Sequence, residues 1–299
     1  MIVERKLGRE GEAILLGLIG VVIFGLTMPA TRVAVLELDP LFITIGRALF
    51  AAGLAAVTLL VARPRPPQGW DWLRLALFAL CSIFGFPFLM TTAMQYAPAS
   101  HAAVVLAVLP LLTAMAGVIV ARERPSPAFW ACGVAGTAAV LVYSLLSGGG
   151  SGDLHWADLL LAGAAISAGM AYALGGELAH RVGGWEVISW ALVVSAPVLL
   201  ALLLLLSVPI NWHASAPAWG GLLYVAIFSQ FLGFFAWNKG MALGGIAKVG
   251  QMQLLQPFVT LAAAAALLGE RVGWMEIVFA VLVVALIALS WRMRVARKP

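Results

Sequence analysis

The sequence predicts an all-α integral membrane protein with ten transmembrane helices, arranged as two inverted five-helix repeats around a central cavity. Composition is the first reason, because 63% of the 299 residues are hydrophobic, only 10% are charged and the mean hydropathy is +1.03. The other two reasons are a series of ten apolar runs and a pattern that recurs at an offset of 147 residues. This composition is typical of polytopic membrane proteins.

Each of the ten apolar runs is long enough to cross a bilayer, which takes about 20 helical residues. The runs cover residues 14–35, 40–62, 73–95, 100–121, 128–147, 157–179, 185–207, 217–239, 246–268 and 273–292. They divide the chain into a cytoplasmic tail (1–13), a first repeat (14–147), an outer linker (148–156), a second repeat (157–292) and a second cytoplasmic tail (293–299). The connections are too short to hold a soluble domain.

A duplicated proline pattern lies in the fourth and ninth runs. Glu123 follows Pro110 by 13 residues, and Glu270 follows Pro257 by the same 13 residues. A proline inside an apolar helix removes a backbone donor and bends the helix, which membrane proteins tolerate beside cavities. A repeated unit of five spans must insert its second copy upside down, so we expect inverted repeats with Pro110 and Pro257 as hinges of a gate.

The basic residues indicate the orientation of the chain in the membrane. With a cytoplasmic amino terminus, all of the 18 lysines and arginines fall on the cytoplasmic side, except Arg271 in an outer loop and Arg32 and Arg47 inside spans. This asymmetry follows the positive-inside rule, so the net charge of +5 does not require a nucleic-acid partner. Both termini are therefore predicted to be cytoplasmic.

Polar side chains within spans eight and nine are the main candidates for substrate contacts. Gln253 and Gln256 are three residues apart, so they share a helical face just before Pro257. Amide groups donate and accept hydrogen bonds without charge, which suits a polar substrate that must also be released. Trp237 and Asn238 precede them in span eight. The alternative for these amides is hydrogen bonding between neighbouring helices.

Further candidates lie in spans one, three and six. Thr27 and Thr91 are each close to a proline that loosens its helix, although threonines often only bond their own backbone. Tyr172 and Phe86 are candidates for an apolar wall that stacks on an aromatic ligand, with packing or lipid contact as the alternative.

Charged groups within the spans are few. Arg32 and Arg47 lie towards the outer ends of spans one and two, where snorkelling or pairing with Glu37 and Asp39 is the leading explanation. The alternative is an outer vestibule for an anionic group. None of the 13 acidic residues lies in the middle third of a span, so no proton carrier is evident. The sequence indicates neither a cofactor nor a metal site.

Together these residues resemble the drug/metabolite transporter superfamily, EamA-like family. The resemblance rests on the ten spans, the doubled proline followed by Glu-Arg, and the stretch QYAPASHAAVVLAVLP, and it covers residues 12–293. FFAWNKGMALGG at 234–245 is similar to a segment of bacterial aromatic amino acid exporters. The resemblance implies a carrier of the bacterial inner membrane that exports amino acids and related metabolites. Independently of the resemblance, a kinked helix in each of two inverted copies offers two gates about one site, so we expect alternating access. We also expect the carrier to function as a monomer.

Two alternatives remain at this point. A carrier for drugs or lipophilic cations fits the same spans, and an intramembrane enzyme that modifies lipids belongs to another class. The enzyme would need converging catalytic groups, and the sequence has no His-Glu-x-x-His pair and no phosphate-binding Gly-Lys loop.

Overall fold

The computed structural model describes residues 2–93, 96, 105–146, 156–268 and 273–297. These residues are almost entirely helical. The α-helices are α1 (Ile2–Gly25), α2 (Thr27–Val35), α3 (Pro40–Ala62), α4 (Asp71–Ala79), α5 (Phe86–Ala93), α6 (Leu109–Ala121), α7 (Pro127–Leu146), α8 (Trp156–Ala179), α9 (Gly184–Leu205), α10 (Ala216–Tyr224), α11 (Gly233–Gly244), α12 (Ile246–Gly250), α13 (Gln256–Leu268) and α14 (Trp274–Arg292). The described strands, β1 (Glu123–Pro125) and β2 (Val295–Arg297), form one antiparallel pair.

Within the described residues, eight helical stretches are long and apolar enough to cross a membrane. They are Gly8–Val35, Pro40–Ala62, Asp71–Ala93, Pro127–Leu146, Trp156–Ala179, Gly184–Leu205, Ala216–Gly244 and Trp274–Arg292. The fourth predicted run contains the shorter apolar helix Leu109–Ala121, and the ninth is divided between α12 and α13. The chain is therefore an all-α, multi-pass membrane protein, while the count of ten spans stays a prediction.

The first helix begins earlier than the apolar run. Residues 2–13 were expected to form a tail, but α1 starts at Ile2 and includes them. Glutamate, lysine and arginine are good helix formers, so the charged stretch continues the helix beyond its apolar part. Glu12 also forms an ion pair with Lys239 of α11, with 2.7 Å between Oε1 and Nζ. The predicted linker residues 148–155 and Glu270 lie outside the described residues.

Several spans depart from regular α-helix. Leu80–Gly85 and Val225–Leu232 are π-helical segments within the third and eighth spans, and Gln251–Leu255 is a 3-10 segment between α12 and α13. Shifting Leu80–Gly85 by the 147 residues of the duplication places it inside Val225–Leu232. π-helical segments are rare and occur frequently at functional sites. The irregular backbone thus recurs at matching positions of the two halves.

Helices of one half pack mainly on helices of the other. The main contacts join α1 to α11, α3 to α9, α6 to α8 and α7 to α14, and α5 also packs on α8. Small residues permit close approach between such helices. At Gly85 a Cβ atom would collide with the Ser167 hydroxyl of α8, which donates a hydrogen bond to the Cys81 carbonyl at 3.1 Å. The two halves therefore form one interleaved bundle.

Both ends of the described chain lie at the same end of this bundle, here called the terminal face. Strand β2 pairs with β1, so that Arg297 lies opposite Glu123. The Arg297 guanidinium also forms an ion pair with Glu177 at the end of α8. A cleft of about 430 Å³ opens at this face beside four arginines, Arg74, Arg122, Arg181 and Arg297. The terminal face is consequently rich in positive charge.

Candidate functional site

Four aromatic rings meet inside the bundle, and we call Phe24, Tyr172, Phe234 and Trp237 the aromatic cluster. Ring centroids are 5.4 Å apart for Tyr172 and Trp237, 5.8 Å for Phe24 and Trp237, and 5.5 Å for Phe24 and Phe234. The Trp237 side chain is fully buried, and its indole Nε1 has no hydrogen-bond partner in the described structure. Buried indole donors normally find an acceptor. This N–H is therefore a buried donor that the described residues leave unsatisfied.

The first span is interrupted beside this cluster, between α1 and α2. The Thr27 hydroxyl donates to the Ile23 carbonyl at 3.3 Å and lies 2.8 Å from the Ser229 hydroxyl in the second π-helical segment. Because a hydroxyl has one proton, Ser229 is then the donor to Thr27. Tyr224 also donates to the Ile23 carbonyl, at 3.1 Å. A side chain of another span thus bonds the backbone next to the interruption.

Thr91 lies in a hydroxyl pair between the second and third spans. Its hydroxyl is 2.9 Å from that of Thr44, which itself donates to the Pro40 carbonyl at 2.9 Å. Thr91 is consequently the donor to Thr44. Arg47 follows Thr44 by three residues on α3, so the two side chains leave the same face of that helix.

Arg47 does not form the ion pair that the sequence suggested. Glu37 accepts hydrogen bonds from the backbone and hydroxyl of Ser215, and Asp39 caps α3 by accepting from the N–H groups of Leu41 and Phe42. The Arg47 side chain is largely enclosed by protein, not snorkelling to the surface, and it lies near Tyr172. The expectation of pairing was therefore wrong, because both carboxylates have nearer partners at the ends of helices.

The three glutamines near Pro257 have different surroundings. Gln253 is buried and donates from Nε2 to the Thr113 hydroxyl of α6 at 3.4 Å, while its Oε1 has no partner among the described residues. Gln251 is also buried, and its Nε2 lies beside Gly133 of α7. Gln256 remains partly exposed at the start of α13. Gln253 thus joins two interrupted spans, and Gln256 keeps the more accessible amide.

Asn238 and Phe86 lie away from the aromatic cluster. Asn238 is fully buried and donates to the Gly184 carbonyl at 3.4 Å, at the start of α9. Successive residues of a helix point about 100° apart, so Asn238 cannot share the direction of Trp237. Phe86 packs with Met90 and Leu161 between the third and sixth spans. Among the residues predicted to contact the substrate, Tyr172 and Trp237 are in direct contact with each other.

The two prolines that the sequence predicts as hinges occupy the second position of a helix that follows an irregular segment. Pro110 is the second residue of α6 after a turn at 107–108, and Pro257 is the second residue of α13 after the 3-10 segment. Proline is favoured there, because its missing N–H would have no partner in the first turn of a helix. In each span, the regular α-helix is therefore interrupted just before the proline.

Glu123 has a role that sequence reasoning did not find. Its carboxylate accepts from the backbone N–H groups of Ile246 and Ala247, at 2.7 and 2.8 Å, and so caps α12. Only 5% of its surface is exposed. Burial raises the pKa of the Glu123 carboxyl above its ordinary value, and the two N–H groups oppose this. Glu123 therefore links the end of the fourth span to the start of the ninth.

A bundle of apolar helices with interrupted spans around buried, unpartnered polar atoms defines a multi-pass membrane transporter. The chain belongs to the EamA-like transporter family, whose model matches residues 11–145 and again residues 155–292. The two matches correspond to the halves of the sequence duplication. The predicted family membership is confirmed.

Curated relatives are likewise named as transporters. The chain is 43% identical to "Uncharacterized transporter YdeK" of Bacillus subtilis (strain 168), over 92% of this chain and 96% of that protein. It is 29% identical to "Aromatic amino acid exporter YddG" of Ancylobacter novellus, over 75% of this chain and 76% of that one. A solved crystal structure matches the fold with a TM-score of 0.79 at 20% identity, covering 93% and 97% of the two chains.

Proposed function

We propose that this transporter exports amino acids, aromatic and other apolar or small ones, together with related metabolites. The observation that carries the proposal is the aromatic cluster, in which the partly exposed Tyr172 lies beside the unpartnered Nε1 of Trp237. Aromatic rings offer a large apolar contact area with defined stacking geometry, and the free N–H adds one polar contact. The similarity to an aromatic amino acid exporter supports the same substrate class.

The mechanism we propose is alternating access between two inverted repeats. Support comes from the features that recur in both halves, namely the π-helical segments Leu80–Gly85 and Val225–Leu232 and the prolines Pro110 and Pro257. The contacts between helices match as well. If each span is replaced by its counterpart in the other half, the contact between α1 and α11 becomes the contact between α8 and α5. Two related gates on either side of one site are what inverted repeats provide.

The terminal face supports the orientation that we propose. Its arginines favour the cytoplasm under the positive-inside rule, so we place both termini there and the protein in the bacterial inner membrane. The carrier would work as a monomer, because the interleaved halves already enclose the aromatic cluster.

Efflux of lipophilic cations is the second candidate, because aromatic rings also attract cations. The uncompensated guanidinium of Arg47 lies near Tyr172 and makes the region unfavourable for such ligands.

Transport assays in liposomes test the function. The purified protein is reconstituted, and uptake is measured for labelled phenylalanine, tryptophan, threonine, methionine, a sugar phosphate and tetraphenylphosphonium. We expect saturable flux of the amino acids, with the aromatic ones fastest. Flux of tetraphenylphosphonium alone would support cation efflux, and flux of none of the amino acids would contradict the proposal.

Replacing Pro257 with alanine tests the hinge. Alanine restores a backbone N–H and favours a continuous helix, so the span should lose its freedom to bend. We expect normal expression and unchanged melting temperature, with initial transport rates lowered about tenfold, which corresponds to about 1.4 kcal/mol in the barrier. Pro110→Ala should behave similarly.

Pro197→Ala is the matched control, since Pro197 lies exposed inside the continuous helix α9. Its flux should equal that of the wild type. Wild-type rates in both Pro110→Ala and Pro257→Ala would remove the gating role.

A further inference from the structure

Arg47 carries a positive charge inside the bundle without a counter-ion in the described structure. Its Nε atom is shielded and has no hydrogen-bond partner. The rest of the side chain keeps some accessible surface, although protein encloses it. Part of Arg47 is therefore within reach of water or a ligand.

The acidic residues nearest in sequence are committed elsewhere. Glu37 binds Ser215, and Asp39 caps the helix that carries Arg47. Among the other described acidic residues, Glu177 is held by Arg297 and Glu123 by the backbone of α12, both at the terminal face. A charge within a membrane span is costly and normally pairs or marks a substrate path. The missing anion is thus expected to come from a ligand.

The surroundings of Arg47 connect it to the proposed substrate site. Tyr172 lies near Arg47 and also belongs to the aromatic cluster, where its ring is 5.4 Å from that of Trp237. One turn away on the same face of α3 lies Thr44, whose hydroxyl pairs with that of Thr91 in α5. A charged anchor and an apolar wall therefore meet at Tyr172.

We propose that Arg47 binds the carboxylate of the transported molecule, while the aromatic cluster receives its apolar side chain. The guanidinium presents a planar fork of N–H donors that matches a carboxylate in a bidentate geometry. This inference rests on the proposed amino acid export and deepens it, because it requires a carboxylate in every well-transported substrate. It also predicts that the carrier excludes lipophilic cations and apolar amines.

The test compares three probes that differ in the carboxyl group and the amine. Phenylalanine carries both, phenylalaninol has a hydroxyl in place of the carboxylate, and 3-phenylpropionate has only the carboxylate. Initial flux into liposomes and ligand-induced thermal stabilisation in detergent are measured for wild type, Arg47→Gln and Arg47→Lys. We expect the wild type to transport phenylalaninol only slowly, and Arg47→Gln to lower phenylalanine and 3-phenylpropionate flux at least about tenfold while leaving that slow phenylalaninol flux unchanged. Arg47→Lys should recover part of the loss, since it keeps the charge without the fork.

Arg32→Gln is the matched control, because Arg32 is an exposed arginine of α2 and loses the same charge. It should transport all three probes as the wild type does. An equal loss for all probes in Arg47→Gln would assign Arg47 a structural role and overturn the inference, as would unchanged phenylalanine flux.

The two proposals fail in different ways. Phenylalanine flux that persists in Arg47→Gln removes the carboxylate site but leaves amino acid export intact. If the wild type transports 3-phenylpropionate but not phenylalanine, and Arg47→Gln abolishes that flux, the carboxylate site is supported and amino acid export is contradicted. Neither flux nor stabilisation with any probe in the wild type would contradict both.

Discussion

Glu123→Ala is expected both to lower the stability of the folded protein and to slow transport. The substitution leaves the N–H groups of Ile246 and Ala247 without their acceptor, and a buried unsatisfied donor costs about 1–3 kcal/mol. Removing a buried charge recovers part of this cost, since burial already raises the pKa of the Glu123 carboxyl. We expect a net loss of about 2 kcal/mol, measured as a lower melting temperature in detergent. Transport should fall at least about tenfold, because Glu123 joins the two interrupted spans.

Two variants separate these effects. Glu123→Gln keeps one carbonyl oxygen as an acceptor, so its melting temperature and flux should lie between those of wild type and Glu123→Ala. Glu12→Ala removes an exposed carboxylate near the same face, where its ion pair with Lys239 is worth less than about 1 kcal/mol. It should behave like the wild type. A Glu123→Ala protein with wild-type stability and flux would show that the cap of α12 is dispensable.

Hydrophobic patterning predicted the helices closely where the chain is uniformly apolar. The runs 40–62 and 246–268 coincide with the observed Pro40–Ala62 and with the stretch from Ile246 to Leu268. The start of α1 was missed, because hydropathy reports the part of a helix that lies in lipid and not where the helix begins. The π-helical segments were also missed, since their backbone bonds depend on the packing of neighbouring helices.

The candidate site was predictable in its residue types more than in its contacts. Thr27 was singled out beside Pro29, yet its partner Ser229 is 202 residues away along the chain. Trp237 and Asn238 were grouped because they are adjacent in sequence, whereas the helix directs them to different neighbours. Phe24 could have been found, since it precedes Thr27 by three residues and shares its helical face.

The isolation of Arg47 was beyond sequence reasoning for a related reason. Glu37 and Asp39 are close to it in the chain, and this proximity suggested a pair. Neither carboxylate is free to pair with Arg47, because Asp39 caps a helix and Glu37 bonds Ser215, which lies in the second half of the chain. Such competition between partners appears only when the tertiary structure is known.

Trp237→Ala is expected to be the most destabilising single substitution in the aromatic cluster. The side chain is fully buried between Phe24 and Tyr172, and truncating a buried tryptophan costs about 3–5 kcal/mol through lost contacts and the cavity left behind. Its melting temperature should fall well below that of the wild type. Trp70→Ala is the control for stability, because 77% of the Trp70 side chain is exposed.

Trp237→Phe separates packing from recognition. Phenylalanine preserves an aromatic ring against Phe24 and Tyr172 but removes the Nε1 donor that has no partner within the described protein. A donor used only by the substrate adds nothing to folding, so Trp237→Phe should be far more stable than Trp237→Ala while its amino acid flux falls about tenfold. Unchanged flux would mean that the indole N–H meets no substrate and that the cluster acts through its apolar surface alone. Equal losses of stability in both variants would instead make the indole a structural donor, because a substrate contact cannot stabilise the empty carrier.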